Sequence, residues 1–217
     1  MFDLRIRNPS TCLITGPTQS GKTTFIVNLL KNGTEIFQNT KCMQNVLFYY
    51  NQWQSLYDEL KDLNVKFFNH IPTKEDVIAM CDPFKENGGS IMVIDDFMND
   101  ISDDIGYMFT VMSHHYNVTI FLLTQNLFPK NKHFRNISIN STYIAIFKNP
   151  RDSSQLSLFA RQYQPGKSKF LINVYKEATK NPYSYLFFDH HQKTPDSLRI
   201  RSNIMRENDP VTVWVEK

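Results

Sequence analysis

The sequence has little of what secreted, fibrous or disordered chains contain. Its three cysteines, Cys12, Cys42 and Cys81, are too few and too scattered for a disulfide framework or a zinc site. An odd number of cysteines fits a reducing compartment. Only 7 glycines and 10 prolines among 217 residues exclude a collagen-like or low-complexity chain. The hydrophobic fraction of 41% excludes an intrinsically disordered one.

Long apolar runs are also missing. No stretch approaches the roughly 18 apolar residues that a membrane-spanning helix needs, and the initial MFDLRIRNPS lacks the apolar region of a secretory signal. We therefore expect an intracellular protein with no membrane partner. At about 100–200 residues per domain, we expect one domain over 1–217, with a core at about 8–162 and a C-terminal strand extension at about 163–217.

The charge is unevenly distributed, although the formal net charge is only +3. From Lys148 onward, 12 Lys and Arg stand against 7 Asp and Glu, whereas the preceding residues carry 12 against 14. This basic C-terminal third is either a solvated surface or a face for nucleic acid. A second basic segment, which either lines a DNA pore or is a solvated loop, contains Lys130, Lys132, His133 and Arg135.

Short apolar runs alternate with amphipathic segments along most of the chain. The runs predict strands at 11–15, 46–50, 65–68, 91–94, 118–123 and 143–147. Helical spacing predicts helices at 23–31, 53–63, 74–80, 105–115 and 153–162. This alternation favours an α/β fold with a mainly parallel central sheet flanked by helices. Two further strands, 185–188 and 198–201, are joined by a polar loop and predict a short C-terminal β-hairpin.

The most specific motif follows the first predicted strand. Residues 16–23 read GPTQSGKT, which satisfies G-x-x-x-x-G-K-[ST] between a strand and a helix. Glycines let backbone N–H groups converge on phosphate oxygens, and the helix start adds its positive dipole end. Lys22 reaches the β- and γ-phosphates, and the Thr23 hydroxyl suits Mg²⁺. The predicted nucleotide-binding residues are Gly16, Pro17, Thr18, Gln19, Ser20, Gly21, Lys22, Thr23 and Thr24.

Acidic and amide side chains end two other predicted strands. Asp95 and Asp96 follow the apolar run 91–94, as in a Walker B motif. We predict that Asp95 holds Mg²⁺, together with Thr23, and that Asp96 polarises the attacking water. The strand 118–123 ends in Thr124, Gln125 and Asn126. If it lies beside the phosphate-loop strand, Gln125 orients water and senses the γ-phosphate.

Four blocks carry a family resemblance, namely GPTQSGKTT, IMVIDDFM, SHHYNVTIFLLTQNLF and YIAIFKNPRD. In this order they resemble the FtsK–HerA branch of P-loop ATPases, from about Asn8 to Arg161. More narrowly, they are similar to the genome-packaging ATPases of Polinton elements, adintoviruses and related double-stranded DNA viruses, and more distantly to those of poxviruses. The blocks TQNLF and KNPRD are more specific than the two Walker motifs.

The resemblance implies a RecA/FtsK-like P-loop NTPase that forms a ring, usually a hexamer. It implies hydrolysis of ATP with Mg²⁺ to move double-stranded DNA, independently of sequence, into a preformed capsid. Lys22, Thr23 and Asp95 then keep the roles derived above, with Asp96 as general base and Gln125 as sensor. The capsid or a portal protein is a partner, and the expected location is the host cytoplasm or nucleus at assembly sites, or the virion.

One residue departs from that family pattern, and one element of the pattern has no single match in the sequence. Many relatives have glutamate at the position of Asp96, and the shorter side chain requires a different water position. Ring ATPases also complete the site with an arginine from the neighbouring subunit, which stabilises charge in phosphoryl transfer. The candidates are Arg135, Arg151 and Arg161, in that order of preference.

Two other functions are compatible with the same motifs. A HerA-like cellular DNA translocase has the same site and differs only in its partner. A nucleotide-dependent assembly or scaffold protein binds ATP with little turnover, and the shorter Asp96 leaves this possibility open.

Overall fold

The computed structural model describes residues 2–97, 101–129, 134–205 and 210–216. Within these residues, nine strands form one sheet in the order β3-β2-β4-β5-β1-β6-β7-β8-β9. The strands are β1 (Thr11–Thr15), β2 (Val46–Tyr50), β3 (Val65–Phe68), β4 (Ser90–Asp95), β5 (Val118–Thr124), β6 (Tyr143–Phe147), β7 (Tyr185–Asp189), β8 (Ile200–Ser202) and β9 (Thr212–Val213).

The sheet has a parallel part and an antiparallel part. Every neighbouring pair from β3 to β6 is parallel, whereas β7, β8 and β9 continue the sheet antiparallel. The central parallel strands are apolar on both faces because helices cover both sides. The predicted fold class is therefore confirmed, including the C-terminal hairpin, in which Phe187 is opposite Arg201.

Helices connect the strands and cover both faces of the sheet. They are α1 (Lys22–Lys31), α2 (Gly33–Ile36), α3 (Lys74–Cys81), α4 (Asp103–Tyr107), α5 (Ser113–His115), α6 (Phe134–Ile139), α7 (Ser153–Tyr163) and α8 (Ser168–Ala178). A π-helical turn, Met108–Met112, joins α4 to α5. None of the helices within 2–97, 101–129, 134–205 and 210–216 is long and apolar enough to cross a membrane.

Alternate side chains of each central strand enter two separate cores. In β5, Ile120 and Leu122 pack on the face covered by α7 and α8, whereas Phe121 and Leu123 pack on the face covered by α1. All four side chains are at most 1% exposed. Fully burying each one contributes roughly 1.5–3 kcal/mol, so the middle of the sheet is a rigid support for the loops at its edges.

Two segments differ from the sequence expectation. The helix expected at 53–63 is only a short 3-10 helix, Ser55–Leu60. Its buried residues Tyr57 and Leu60 are three positions apart, which matches the three-residue repeat of a 3-10 helix. In the C-terminal segment, α8 occupies residues for which only strands were expected. The domain limits stay a prediction, although β7 joins this segment to the same sheet through β6.

Candidate functional site

Three parallel strands end at one edge of the sheet and bring the predicted motifs together. Strand β5 lies between β1 and β4, with Thr124 beside Thr15 and Leu122 beside Ile94. The phosphate loop after β1, the acids at the end of β4 and the amides after β5 therefore meet at this edge. The condition set for Gln125, that its strand neighbours the loop strand, is met.

The two glycines of the motif, Gly16 and Gly21, occupy positions in the loop between β1 and α1 that disfavour larger residues. The Gly16 N–H donates to the Thr124 carbonyl at 3.2 Å, which ties the loop to β5. A Cβ at Gly16 would lie 2.6 Å from the Phe147 Cβ, so no larger residue can replace it without a shift. Gly21 precedes α1 with φ of 99°, a conformation that glycine adopts readily.

The Lys22 ammonium and the Ser20 hydroxyl lie at this loop. Lys22 Nζ donates to the carbonyls of Gly16 at 2.6 Å and Pro17 at 2.8 Å. Burial lowers the pKa of Lys22, while Asp95 and Asp96 oppose that shift. Ser20 Oγ is buried and has no hydrogen-bond partner among the described residues. The loop therefore offers a cation and an unused hydroxyl, which are groups that suit phosphate oxygens.

The Asp95 carboxylate is buried among hydroxyl groups. Its Oδ2 accepts hydrogen bonds from Thr23 Oγ1 at 3.2 Å and from the Tyr57 hydroxyl at 2.8 Å. Within the described chain it forms no ion pair, although it is only 4% exposed. Burial raises the pKa of Asp95, and the hydrogen bonds from Tyr57 and Thr23 partly counteract this. A buried carboxylate beside a threonine hydroxyl fits the hard oxygen ligands that Mg²⁺ prefers.

Asp96 and Gln125 are exposed at the same cleft, which has a volume of about 1020 Å³. Asp96 has φ of 66°, in the left-handed region that non-glycine residues rarely adopt. Asp96 and Asp95 both line the cleft, but Asp96 is exposed there whereas Asp95 is buried. The cleft lining also includes Thr18, Gln19, Ser20, Gly21, Lys22, Thr23 and Thr24.

The three candidate arginines are all exposed, and none lines this cleft. Arg135 is on α6, Arg151 precedes α7, and Arg161 is in the last turn of α7. Within one chain they do not contribute to the cleft, and the role of an arginine from a neighbouring subunit stays a prediction. Of the basic segment, Lys130, Lys132 and His133 lie outside the described residues.

The block KNPRD forms a connection between two loops at this edge. Asn149 Oδ1 accepts from the backbone N–H groups of Arg151 and Asp152, and Asp152 caps α7. Asp152 also accepts from the Gln155 side chain at 2.8 Å, and Gln155 Oε1 accepts from the N–H groups of Leu127 and Phe128. The block thereby holds the loop that follows Gln125.

The sequence analysis missed Tyr57, which lies behind the cleft, and it missed residues of the C-terminal segment that line the cleft. Tyr57 was expected on a helix and assigned no role, yet it contacts Asp95, 38 positions away. The residues from the C-terminal segment are Tyr183, Tyr185, Asn203 and Met205. The spacing of these residues carries no motif. The one available signal was the basic and aromatic character of the segment, which does not indicate a nucleotide site.

The parallel sheet, the strand order and the loop between β1 and α1 define the α/β fold of P-loop NTPases. Two solved structures of one viral protein have this fold. The genome packaging NTPase B204 from Sulfolobus turreted icosahedral virus 2, in complex with ATP-gammaS, matches with a TM-score of 0.59 and 15% identity. That match covers 89% of this chain and 96% of the B204 chain.

The same B204 protein in complex with AMP matches with a TM-score of 0.55 and 15% identity, over 97% of this chain and 98% of that one. At such low identity the similarity shows a shared fold. No protein-family model and no curated protein sequence matches the chain.

Proposed function

We propose that the chain is an ATP-driven double-stranded DNA translocase that packages a viral or virus-like genome. The observation that carries the ATPase part is the convergence of Lys22, Thr23 and Asp95 beside Gln125 at one cleft. The packaging part is supported by the four resemblance blocks and by the fold shared with a viral genome packaging NTPase.

In this proposal, residues 16–24 bind the phosphates of ATP through backbone N–H groups and the Lys22 ammonium. Thr23 and Asp95 hold Mg²⁺, which neutralises the charge on the β- and γ-phosphates. Tyr57 keeps the Asp95 carboxylate next to Thr23 by its 2.8 Å hydrogen bond. Mg²⁺ would then place a second positive charge near Asp95, beside that of Lys22, which offsets the burial of the carboxylate only in part.

Asp96 and Gln125 act on the attacking water. The Asp96 carboxylate accepts a proton from the water, and the Gln125 amide orients it and senses the γ-phosphate. Both side chains are exposed to the cleft beside Lys22. Because Asp96 is shorter than glutamate, the water lies closer to the end of β4 than it does in relatives that have glutamate.

Arg135 or Arg151 completes the site of a neighbouring subunit in a ring, which we propose to be a hexamer. An arginine that acts between subunits is exposed in a single chain, as both of these are. The ring moves DNA by phosphate contacts, because packaging must be independent of sequence. A capsid or portal protein receives the DNA at an intracellular assembly site.

ATP hydrolysis by the purified chain, with and without double-stranded DNA, tests this function. We expect DNA of any sequence to stimulate hydrolysis several-fold, and the stimulation to fall as salt rises. Lys22→Ala should abolish hydrolysis. The matched control is Lys31→Ala at the other end of α1, where the lysine forms a surface ion pair with Glu59.

Three other outcomes have definite meanings. Hydrolysis that ignores DNA in a sample that forms rings with ATP would contradict the translocase. Tight ATP binding without turnover would favour the assembly or scaffold protein. DNA-stimulated hydrolysis by a protein that co-purifies with no capsid or portal partner would favour the HerA-like cellular translocase.

A further inference from the structure

The nucleotide cleft has two walls on opposite sides of the phosphate loop. Gln52, Trp53 and Gln54 follow β2 and lie on the side of Asp95, to which Gln54 is linked through Tyr57 by hydrogen bonds of 3.1 and 2.8 Å. The other wall lies beyond β6 and is formed by the C-terminal segment. We call it the C-terminal wall, and it consists of Tyr183, Tyr185, Asn203 and Met205.

Tyr185 fixes this wall to the rest of the site. Its hydroxyl accepts a hydrogen bond from the Ile204 N–H at 3.2 Å, between Asn203 and Met205. Its ring lies 4.8 Å from the Phe25 ring of α1 and 5.1 Å from the Phe147 ring of β6, measured between centroids. The C-terminal wall is therefore attached to the helix that begins at the phosphate loop.

Tyr183 projects an aromatic ring beside that loop. A Cβ placed on Gly21 would lie 3.2 Å from the Tyr183 Cβ, so the tyrosine packs directly against the loop. The residue is nevertheless 69% exposed. Tyr183 and Asn203 have φ of 61° and 57°, a conformation that is strained for a tyrosine, and strained residues of this kind cluster at active sites and ligand-binding loops. The ring of Tyr183 is therefore held beside the loop and remains largely accessible from the cleft.

We infer that the C-terminal wall binds the nucleoside half of ATP, with the base stacked on the Tyr183 ring and Met205 beside it. This inference rests on the proposed ATPase function, because Asp95 and Gln125 then place the γ-phosphate on the opposite side of the loop. The nucleoside extends the other way, toward Gly21 and Tyr183. Stacking on a tyrosine accepts any base, so the wall favours nucleotides over bare polyphosphate more than it favours adenine over guanine.

The test compares binding of ATP with binding of inorganic tripolyphosphate, both with Mg²⁺, by calorimetry on the full chain. Tyr183→Leu should weaken ATP binding about 5- to 100-fold, the range for losing one base–aromatic stack. Tripolyphosphate binding should stay within about twofold. Tyr183→Phe keeps the ring and should bind both as the wild type does. Trp53→Leu is the matched control, since it removes an exposed ring from the other wall.

Each alternative outcome is distinguishable. Equal weakening of ATP and tripolyphosphate by Tyr183→Leu would show that Tyr183 only shapes the loop, and it would overturn the inference. Selective loss of ATP binding in Trp53→Leu would place the base on the other wall. If the wild-type chain binds tripolyphosphate as tightly as ATP, then the C-terminal wall does not bind the nucleoside, and the ATPase proposal is unaffected. Binding of neither, or binding that Lys22→Ala leaves intact, would refute the phosphate site itself.

Discussion

Two buried aspartates, Asp95 and Asp189, end strands at opposite edges of the sheet and have different surroundings. Asp189 ends β7 and is 2% exposed. It is paired with Arg201 at 2.5 Å and also accepts a hydrogen bond from Thr194. Asp95 ends β4 and is 4% exposed, but its described partners are the hydroxyls of Thr23 and Tyr57.

The difference separates a charge that is paired within the fold from one that lies at the candidate site without an ion pair among the described residues. The Arg201 guanidinium also donates to the Leu4 carbonyl at 2.8 Å, so the Asp189 pair joins both ends of the chain. A buried carboxylate without a cation is costly to the folded state. Asp95 forms no described ion pair, and the charge of Lys22 offsets its burial only in part, which is why we predict that it binds a cation from outside the chain.

The largest expected effect breaks the pair at Asp189. Asp189→Asn leaves the 1% exposed Arg201 without its counter-charge, so the free energy of unfolding should fall by about 3–5 kcal/mol. Urea unfolding followed by circular dichroism measures this. The double variant Asp189→Leu with Arg201→Met removes both charges and should recover most of the loss. If the free energy of unfolding of Asp189→Asn lies within about 1 kcal/mol of the wild-type value, the pair of Asp189 and Arg201 does not stabilise the fold as we expect.

At the other edge of the sheet, Asp95→Asn should affect ATP hydrolysis strongly and stability little. Asp95→Asn removes a carboxylate that forms no described ion pair and only partly offsets the buried charge of Lys22, so the free energy of unfolding should fall much less than for Asp189→Asn, or not at all. ATP hydrolysis should fall at least about 100-fold, or about 2.7 kcal/mol, because the predicted metal ligand is lost. Hydrolysis and urea unfolding of the same samples check both parts. If Asp95→Asn lowers the free energy of unfolding as much as Asp189→Asn does, then Asp95 stabilises the fold in the way that Asp189 does.

Tyr57→Phe sharpens the comparison by removing one hydroxyl from Asp95. Removal of a group that orients a metal ligand typically weakens metal binding about 10- to 100-fold. We expect the Mg²⁺ concentration for half-maximal hydrolysis to rise accordingly while the rate at saturating Mg²⁺ is largely kept. Tyr50→Phe at the end of β2 is the control, because that hydroxyl makes no described hydrogen bond to Asp95. If Tyr57→Phe and Tyr50→Phe need the same Mg²⁺ concentration for half-maximal hydrolysis, then the Tyr57 hydroxyl does not position Asp95 for the metal.

The smallest expected effect concerns acid stability near Asp189. Burial lowers the pKa of the neighbouring His190, although its hydrogen bond to Ser141 and the charge of Asp189 oppose this. Because the folded pKa lies below the ordinary 6.5, stability is present above pH 6.5 and is lost as the pH falls toward the folded value.

The slope from this one proton is at most about 1.4 kcal/mol per pH unit. Urea unfolding between pH 7 and pH 5 should show a decline in the wild type that His190→Phe reduces. Parallel declines in the two proteins would assign the acid response to other groups.

The central strands were predictable because their signal is local. Four predicted strands, 11–15, 46–50, 65–68 and 143–147, have the same limits in the structure. A strand buried on both faces is a continuous apolar run, and a run is visible without knowing its neighbours. Helix α8 was missed although Leu171, Val174 and Tyr175 are spaced for one buried helical face. The apolar run 170–175 is interrupted only by Asn173, and a short apolar run does not by itself distinguish a helix from a strand.

By itself the sequence determined the phosphate loop, the acids after β4 and the apolar runs, since each depends on residues adjacent in the chain. Only the tertiary structure decided that β5 lies between β1 and β4, that Tyr57 contacts Asp95, and that the C-terminal segment forms a wall of the cleft. These contacts join positions far apart in the chain. They depend on the order of strands in the sheet, which follows from the packing of the whole core. Strand order produces no local pattern in the sequence from which it could be predicted.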